Sequence, residues 1–320
     1  MEKKKILICG VTGFIGRNIA ETLAGNENYE VHGVFHKSEP FENERIHFHQ
    51  ADLIERRQVD EVVEGMDVII QAAATTSGSG DTVTQPYIHV TDNAVMNSYI
   101  MRAAFDHGIE HLVFFSCTVF YQSSDTQVSE DDLDLNAEIE PKYFGAGWTK
   151  LYLEKMCEFY AGVSDLKVTV IRHSNIYGPH DKYDLERSHV FGATVSKVMN
   201  STDGKVVVWG DGNEKRDLLY ITDLVDFVIS ALERQKSSFG LYNVGSGQAI
   251  SIKDLVQEVI EESGRELAIE YDLSKPTIKF SLSLDCAKAE RELGWTPQIP
   301  FREGIKRTLE WYKKSDFAKP

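Results

Sequence analysis

The sequence predicts an α/β fold in which helices cover both faces of a parallel sheet, followed by a smaller region. Three observations predict it. Short apolar runs alternate with amphipathic segments through the first half, each run ends in small or polar residues, and a glycine-rich turn joins the first run to the first helix. Strands that are apolar throughout, rather than at every second residue, are those buried on both faces by crossover helices.

Taken in order, the buried strands are "KILICG", "YEVHGVFH", "IHFHQADL", "DVIIQAAA", "HLVFFSCT" and "KVTVIRHSN". Helices are expected over Arg17–Leu23, Arg56–Val63, Asp92–His107 and Trp148–Tyr160. Right-handed crossovers would wind them into a doubly wound sheet of the Rossmann type. After about residue 175 the rhythm breaks. "KVVVWGDGNEKRDLLYI" reads as two strands around a turn, "TDLVDFVISALER" as a helix, and "SIKDLVQEVIEES" as a helix opened by Ser251. The expected division is a first domain over 1–174, with segments near 219–245 returning to it, and a second region over 175–320. There is no internal repeat, low-complexity tract or long linker in the 320 residues, which favours one enzyme-like body over tethered modules.

Hydrophobic residues at 42% and charged residues at 26% fit an ordinary globular chain. Fifty acidic against 34 basic residues give a formal charge of −16, which repels nucleic acid and anionic membranes and leaves small molecules or protein chains as partners. A phosphate-bearing ligand stays compatible, because helix N-termini and a few local cations can hold it. Cys9, Cys117, Cys157 and Cys286 form no CxxC pair, so neither a disulfide framework nor a zinc site is expected. "MEKKK" is followed by an apolar run too short for a signal peptide, and no stretch reaches the roughly 20 apolar residues of a membrane helix. A reducing cytoplasm is the expected location.

Gly10, Gly13 and Gly16 in "CGVTGFIG" sit between a strand and a helix, with Thr12, Phe14 and Ile15 completing the turn. Gly10 permits the tight turn, Gly13 admits a pyrophosphate to backbone N–H groups, and Gly16 lets helix and strand pack closely. The second strand ends in Phe35 where an acid would bind the ribose hydroxyls of NAD, with His36 and Lys37 beside it. Cations there suit a 2′-phosphate, which favours NADP over NAD; the plainer reading makes them solvated loop residues. Asp52, before Leu53, could face the adenine or cap a helix, and Ala72, Ala73 and Ala74 could admit a flat ligand or merely pack tightly. Ser116 and Thr118 stand at a strand's C-terminal end, where open α/β sheets bind ligands. Positions 146 and 150 lie one turn apart on a single helix face.

With these residues in view, the chain resembles the extended short-chain dehydrogenase/reductase family, in its nucleotide-sugar epimerase, dehydratase and reductase branch. The likeness runs through "GVTGFIG", Asp52-Leu53, Asn93, Ser116, "GWTK", "IRHSNIYGP", "WGDGNEKRDLLYITD", "YNVGSGQAISI" and "AERELGWTPQIPFREGI". It implies that Lys150 bonds the nicotinamide ribose and lowers the pKa of a tyrosine at position 146, and that Asn93 and His173 belong to the cofactor site. Ser116 and Thr118 would hold the sugar oxygen at the reacting carbon, while Asn175 and Arg216 would contact a nucleotide diphosphate. "ERSHVFGA", with Arg187 and His189, resembles the segment of GDP-fucose synthase-like epimerase-reductases in which the histidine acts as an acid; otherwise His189 lines the pocket or packs. Thr118 replaces the cysteine base of that subfamily. The resemblance also implies a homodimer joined through helices near 92–107 and 147–160.

The departure is Ala146, which stands where the family has its proton-exchanging tyrosine. Three accounts compete: a Tyr→Ala substitution made to capture a substrate complex, which the intact flanking residues favour; recruitment of another donor, Tyr143 or His189; or a nonreactive relative acting as a sensor or scaffold. Tyr143 is a poor replacement, one turn away on a segment expected to be broken by Gly145 and Gly147.

Overall fold

The computed structural model describes residues 3–75, 86–185, 188–275 and 280–318. Its strands are β1 Lys4–Cys9, β2 Tyr29–Phe35, β3 Ile46–Gln50, β4 Val68–Gln71, β5 His111–Phe115, β6 Gln127–Val128, β7 Lys167–His173, β8 Asn175–Tyr177, β9 Lys205–Trp209, β10 Lys215–Tyr220, β11 Phe239–Val244, β12 Ala249–Ser251, β13 Ala268–Asp272 and β14 Ser283–Leu284. The helices are α1 Phe14–Leu23, α2 Arg56–Val63, α3 Thr91–Asp106, α4 Phe144–Val163, α5 Val190–Asn200, α6 Ile221–Arg234, α7 Ile252–Ser263, α8 Ala287–Leu293 and α9 Phe301–Lys314.

Seven strands form one parallel sheet in the order β3-β2-β1-β4-β5-β7-β11. Successive side chains of a strand point to opposite faces, so each central strand feeds two cores. Ile6, Ile8, Ile70 and Val113 pack on one face with Ile19 of α1 and Leu224 and Phe227 of α6. Leu7, Cys9, Ile69, Leu112 and Phe114 pack on the other with Val59 of α2, Met96 and Ile100 of α3, and Leu153 and Cys157 of α4. That is the doubly wound arrangement, Rossmann-type, that unbroken apolar strands predict. The strand order reverses between β1 and β4, and a crevice for a ligand opens at the carboxyl ends of such a pair.

The second half departs from the simplest reading of its sequence. β9 and β10 flank a turn yet do not pair with each other: β9 pairs with β13, while β10 lies between β8 and β12. The linker is anchored in two directions, Gly210 N–H donating to Asp272 and Lys253 N–H donating to Gly212, so the strands diverge. Buried Asp217 of β10 accepts from the N–H groups of Ser246, Gly247 and Leu284 and from the Ser246 hydroxyl. One carboxylate thereby joins three segments distant in sequence. Asp223 does similar service near the C-terminus, accepting from Gln298 and Ile299 N–H while its carbonyl takes the Trp295 indole N–H. β11 returns to the main sheet beside β7, and Ser251 caps α7 by accepting from Asp254 N–H. Among the described residues no helix is long and apolar enough to cross a membrane.

Candidate active site

The site is assembled at the carboxyl ends of β1, β4, β5 and β7. Gly10 turns the chain with φ +77°, and a Cβ there would lie 2.7 Å from Ala73 Cα. A Cβ on Gly16 would fall 2.2 Å from the Gly10 carbonyl oxygen, so both glycines are required by close contact, and Gly10 by conformation as well. α1 opens at Gly13 with no side-chain cap and no acid in its first turn. Its first N–H groups therefore have no capping side chain competing with an anionic ligand. Ala72 and Ala73 press against this turn at the end of β4, and Ala74 is exposed.

Asn93 of α3 fixes the segment leaving β4. Its Oδ1 accepts from Thr75 N–H, and its amide donates to the Thr75 and His89 carbonyls at 3.0 and 2.9 Å. Both amide hydrogens are thus committed to backbone. At the end of β2, His36 and Lys37 are exposed, with His36 Nε2 3.4 Å from Asp52 Oδ2. Asp52 does not cap α2, whose N-cap is Glu55; its Oδ1 instead takes Ile54 N–H and shapes the turn in which Leu53 is buried.

Ala146 and Lys150 lie on the same face of α4. Lys150 Nζ donates to the Phe115 carbonyl at 2.6 Å and lies 4.7 Å from the Phe114 ring centroid. Desolvation holds its ammonium pKa below the usual value, against the opposing pull of Cys117 and Glu154. His173 ends β7 and gives its Nδ1–H to the Ser174 carbonyl at 2.8 Å. Burial, with added repulsion from Lys150 and His189 and opposed by that bond, takes its pKa to about 4. The ring is neutral at physiological pH, with Nε2 left as an acceptor. Cys117 is pushed up to about 11 by burial and remains a thiol.

Ser116 is buried, and its hydroxyl donates to Glu154 Oε1 at 2.5 Å; Thr118 donates to the His173 carbonyl at 3.3 Å. Glu154 in turn receives Arg172, whose Nη2 lies 2.8 Å from Oε2 with both side chains 5% exposed. Arg172 also donates to the Tyr121 hydroxyl, which donates to Asn243. Apart from Ser116, the members of this network, Glu154, Arg172, Tyr121 and Asn243, are absent from the site residues that sequence reasoning identifies. Glu154 falls four residues after Lys150, on the face already marked by 146 and 150, so the same helical spacing could have found it.

Asn175 donates to the Asp217 carbonyl, and Arg216 donates to the carbonyls of Lys215 and Phe280. Tyr143 is the N-cap of α4 and lies near enough to Arg216 to act on its charge. The helix is not broken before Trp148: it runs continuously from Phe144. Gly145 and Gly147 sit inside it because their neighbours are close, Val90 Cγ2 at 2.7 Å from a Gly145 Cβ and Ile139 Cδ1 at 3.2 Å from a Gly147 Cβ. His189 precedes α5 as its N-cap; Arg187 lies outside the described residues. Among the described residues no cluster of three or more metal-ligating side chains occurs.

The seven-stranded sheet, the glycine turn against β4 and the 146/150 helix face define an extended short-chain dehydrogenase/reductase. The chain belongs to the NAD dependent epimerase/dehydratase family, whose profile it matches over residues 6–245. It is 28% identical over 318 residues to GDP-L-fucose synthase 1 of Arabidopsis thaliana, covering 97% of this chain and 94% of that protein. It is 25% identical to GDP-L-colitose synthase of Yersinia pseudotuberculosis, covering 96% and 97%. In fold it is similar to UDP-glucose 4-epimerase of Thermotoga maritima, solved with UDP-glucose (TM-score 0.84, 22% identity, 97% and 99% covered). MoeE5, solved with UDP-glucuronic acid and NAD, gives a TM-score of 0.83 at 24% identity, with 97% and 99% covered.

Proposed function

We propose that the chain binds NADP(H) and a nucleotide-diphosphate sugar and was built to move hydride between them through a keto-sugar intermediate, with its proton-exchanging group missing at Ala146. The observation that carries this is Lys150: its ammonium is fixed on the Phe115 carbonyl at the end of β5, one turn beyond Ala146 and beside neutral His173. A bound nicotinamide supplies the hydride chemistry. Lys150 would hold its ribose, and His173 Nε2 would accept an N–H from its carboxamide. Ser116 and Thr118 would orient the sugar oxygen once Ser116 turns from Glu154. Without a phenol at 146, the loss of proton exchange is worth roughly 10²–10⁴ in rate while both binding sites persist.

NADP is favoured because β2 ends without an acid and carries His36 and Lys37; Asp52 steadies His36, leaving Lys37 toward a 2′-phosphate. A GDP-sugar is favoured because full-length relatives at 25–28% identity are named for GDP-sugar reactions. Asn175, Arg187, His189 and Arg216 would grip that substrate, so that 1–174 with 219–245 holds the cofactor and the remainder the sugar nucleotide. A cytoplasmic homodimer completes the reading. The test is Ala146→Tyr assayed with GDP- and UDP-sugars and both cofactors. Turnover at least about 10²-fold above the parent chain, faster with NADPH, is expected. Tight binding of both ligands without turnover would instead make the chain a nonreactive sensor, and tighter NADH binding would overturn the role of Lys37.

A further inference from the structure

We propose that the amino-terminal edge of the main sheet carries a second ligand site, for a small phosphate monoester, at the end opposite the cleft described above. A cavity of about 450 Å³ opens there, among the first residues of five strands: Lys4 of β1, Tyr29 of β2, Val68 of β4, His111 of β5 and Lys167 of β7. Its volume falls within the range of small-molecule sites. Lys3, Lys4 and Lys167 line it against Glu27 and Glu110, a local charge of +1 in a chain of net −16. Glu110 is already matched by Lys4 at 2.7 Å, and Lys167 gives one ammonium hydrogen to the Gln235 carbonyl at 2.8 Å, keeping two. Ammonium groups on flexible stems meet phosphate as point charges.

The hydrogen-bond pattern beneath this edge specifies the rest of the ligand. Gln235 donates both amide hydrogens to carbonyls, Val168 at 2.9 Å and Ser237 at 3.0 Å, so its Oε1 can only accept. Thr169 therefore donates its one hydroxyl hydrogen to that oxygen at 2.5 Å and must accept from His111 Nε2 at 2.8 Å. The ring hydrogen of His111 thus sits on Nε2, and Nδ1 presents a lone pair. Burial keeps the ring neutral, its pKa lowered to about 3, and among the described residues no hydrogen-bond donor to Nδ1 is found. The phosphoryl oxygens of a monoester dianion have no hydrogen to offer such an acceptor, whereas a hydroxyl elsewhere on the same ester does. Lysine-bound phosphate and histidine-bound hydroxyl on one small molecule meet both requirements.

Glucose 1-phosphate is the probe, titrated into the full chain saturated with NADPH while the His111 imidazole nitrogens are followed by NMR. Saturable shifts are expected, weaker with inorganic phosphate and absent with glucose. Lys167→Met and Lys3→Met should each weaken the binding about tenfold, and Lys167→Arg should retain it. Shifts that never saturate, glucose acting as well as its phosphate, or both methionine variants binding like the parent would each overturn the site. The readout is local to His111 and independent of the cleft, so loss of NADPH binding would count against the cleft reading alone.

Discussion

At the scale of single residues, the buried pair of Glu154 and Arg172 bears directly on the site, because Ser116 is bonded to it. Two nearly inaccessible charges are tolerable only because the guanidinium bonds Glu154 through Nε and Nη2 while Ser116 occupies a further lone pair. An intact pair of this kind adds little net stability, but removing one member strands the other charge, at a cost of about 3–5 kcal/mol. Glu154→Gln should therefore unfold in urea with a loss in that range, and Glu154→Leu combined with Arg172→Met should lose less than either single change. A loss under about 1 kcal/mol for Glu154→Gln would show that water reaches the pair. At this scale the sequence is most legible for glycines and least for hydroxyls. Gly10 and Gly16 stand where a Cβ would overlap backbone, and spacing alone marks such positions. That the Ser116 hydroxyl points to Glu154 is a matter of rotamer and partner, which no spacing records.

At the scale of elements, α4 shows how packing overrides propensity. Glycine in a helix interior costs about 1 kcal/mol relative to alanine, so Gly145 and Gly147 argue from sequence for a helix starting later. The glycines are kept there because Val90 and Ile139 sit so close that a side chain would press against them. At Gly145 the two effects oppose each other: alanine gains about 1 kcal/mol of helix propensity and meets overpacking of about 1–3 kcal/mol against the Val90 methyl. Gly145→Ala should be destabilising in thermal melts, whereas Gly145→Ala with Val90→Ala should recover most of the loss. Additive effects of the two changes would mean that the helix start is free to shift. α3, ending at Asp106, and the β7 strand are legible to within a residue or two, because their apolar patterns are long and their ends are marked; β5 is read correctly at its start but three residues too long, since it ends at Phe115. β9 and β10 are legible as strands but not in their pairing, since a turn fixes where a strand ends but not which edge it finds.

At the scale of the whole molecule, apolar surface remains exposed on the side of α3 and α4 away from the sheet. Tyr152, Phe159 and Val163 are 58%, 61% and 55% exposed, and Phe105 of α3 lies 5.6 Å from Tyr160 between ring centroids. Paired across a two-fold axis, such a face would be covered by its own copy. Phe159→Glu should convert the proposed dimer to monomer in sedimentation velocity while leaving the thermal unfolding of the subunit cooperative. A parent chain sedimenting as a monomer at micromolar concentration would refute the assembly. The sequence by itself determined the parallel sheet, the glycine-rich turn and the 146/150 helix face, because periodicity and steric exclusion act between residues close along the chain. The tertiary structure alone decided that Asp217 joins three distant segments, that Ser116 leans on Glu154, and that lysines gather with His111 at the far edge of the sheet. Those contacts span tens to hundreds of residues, and whether a polar group finds its partner depends on the folded path that brings the two within about 3 Å.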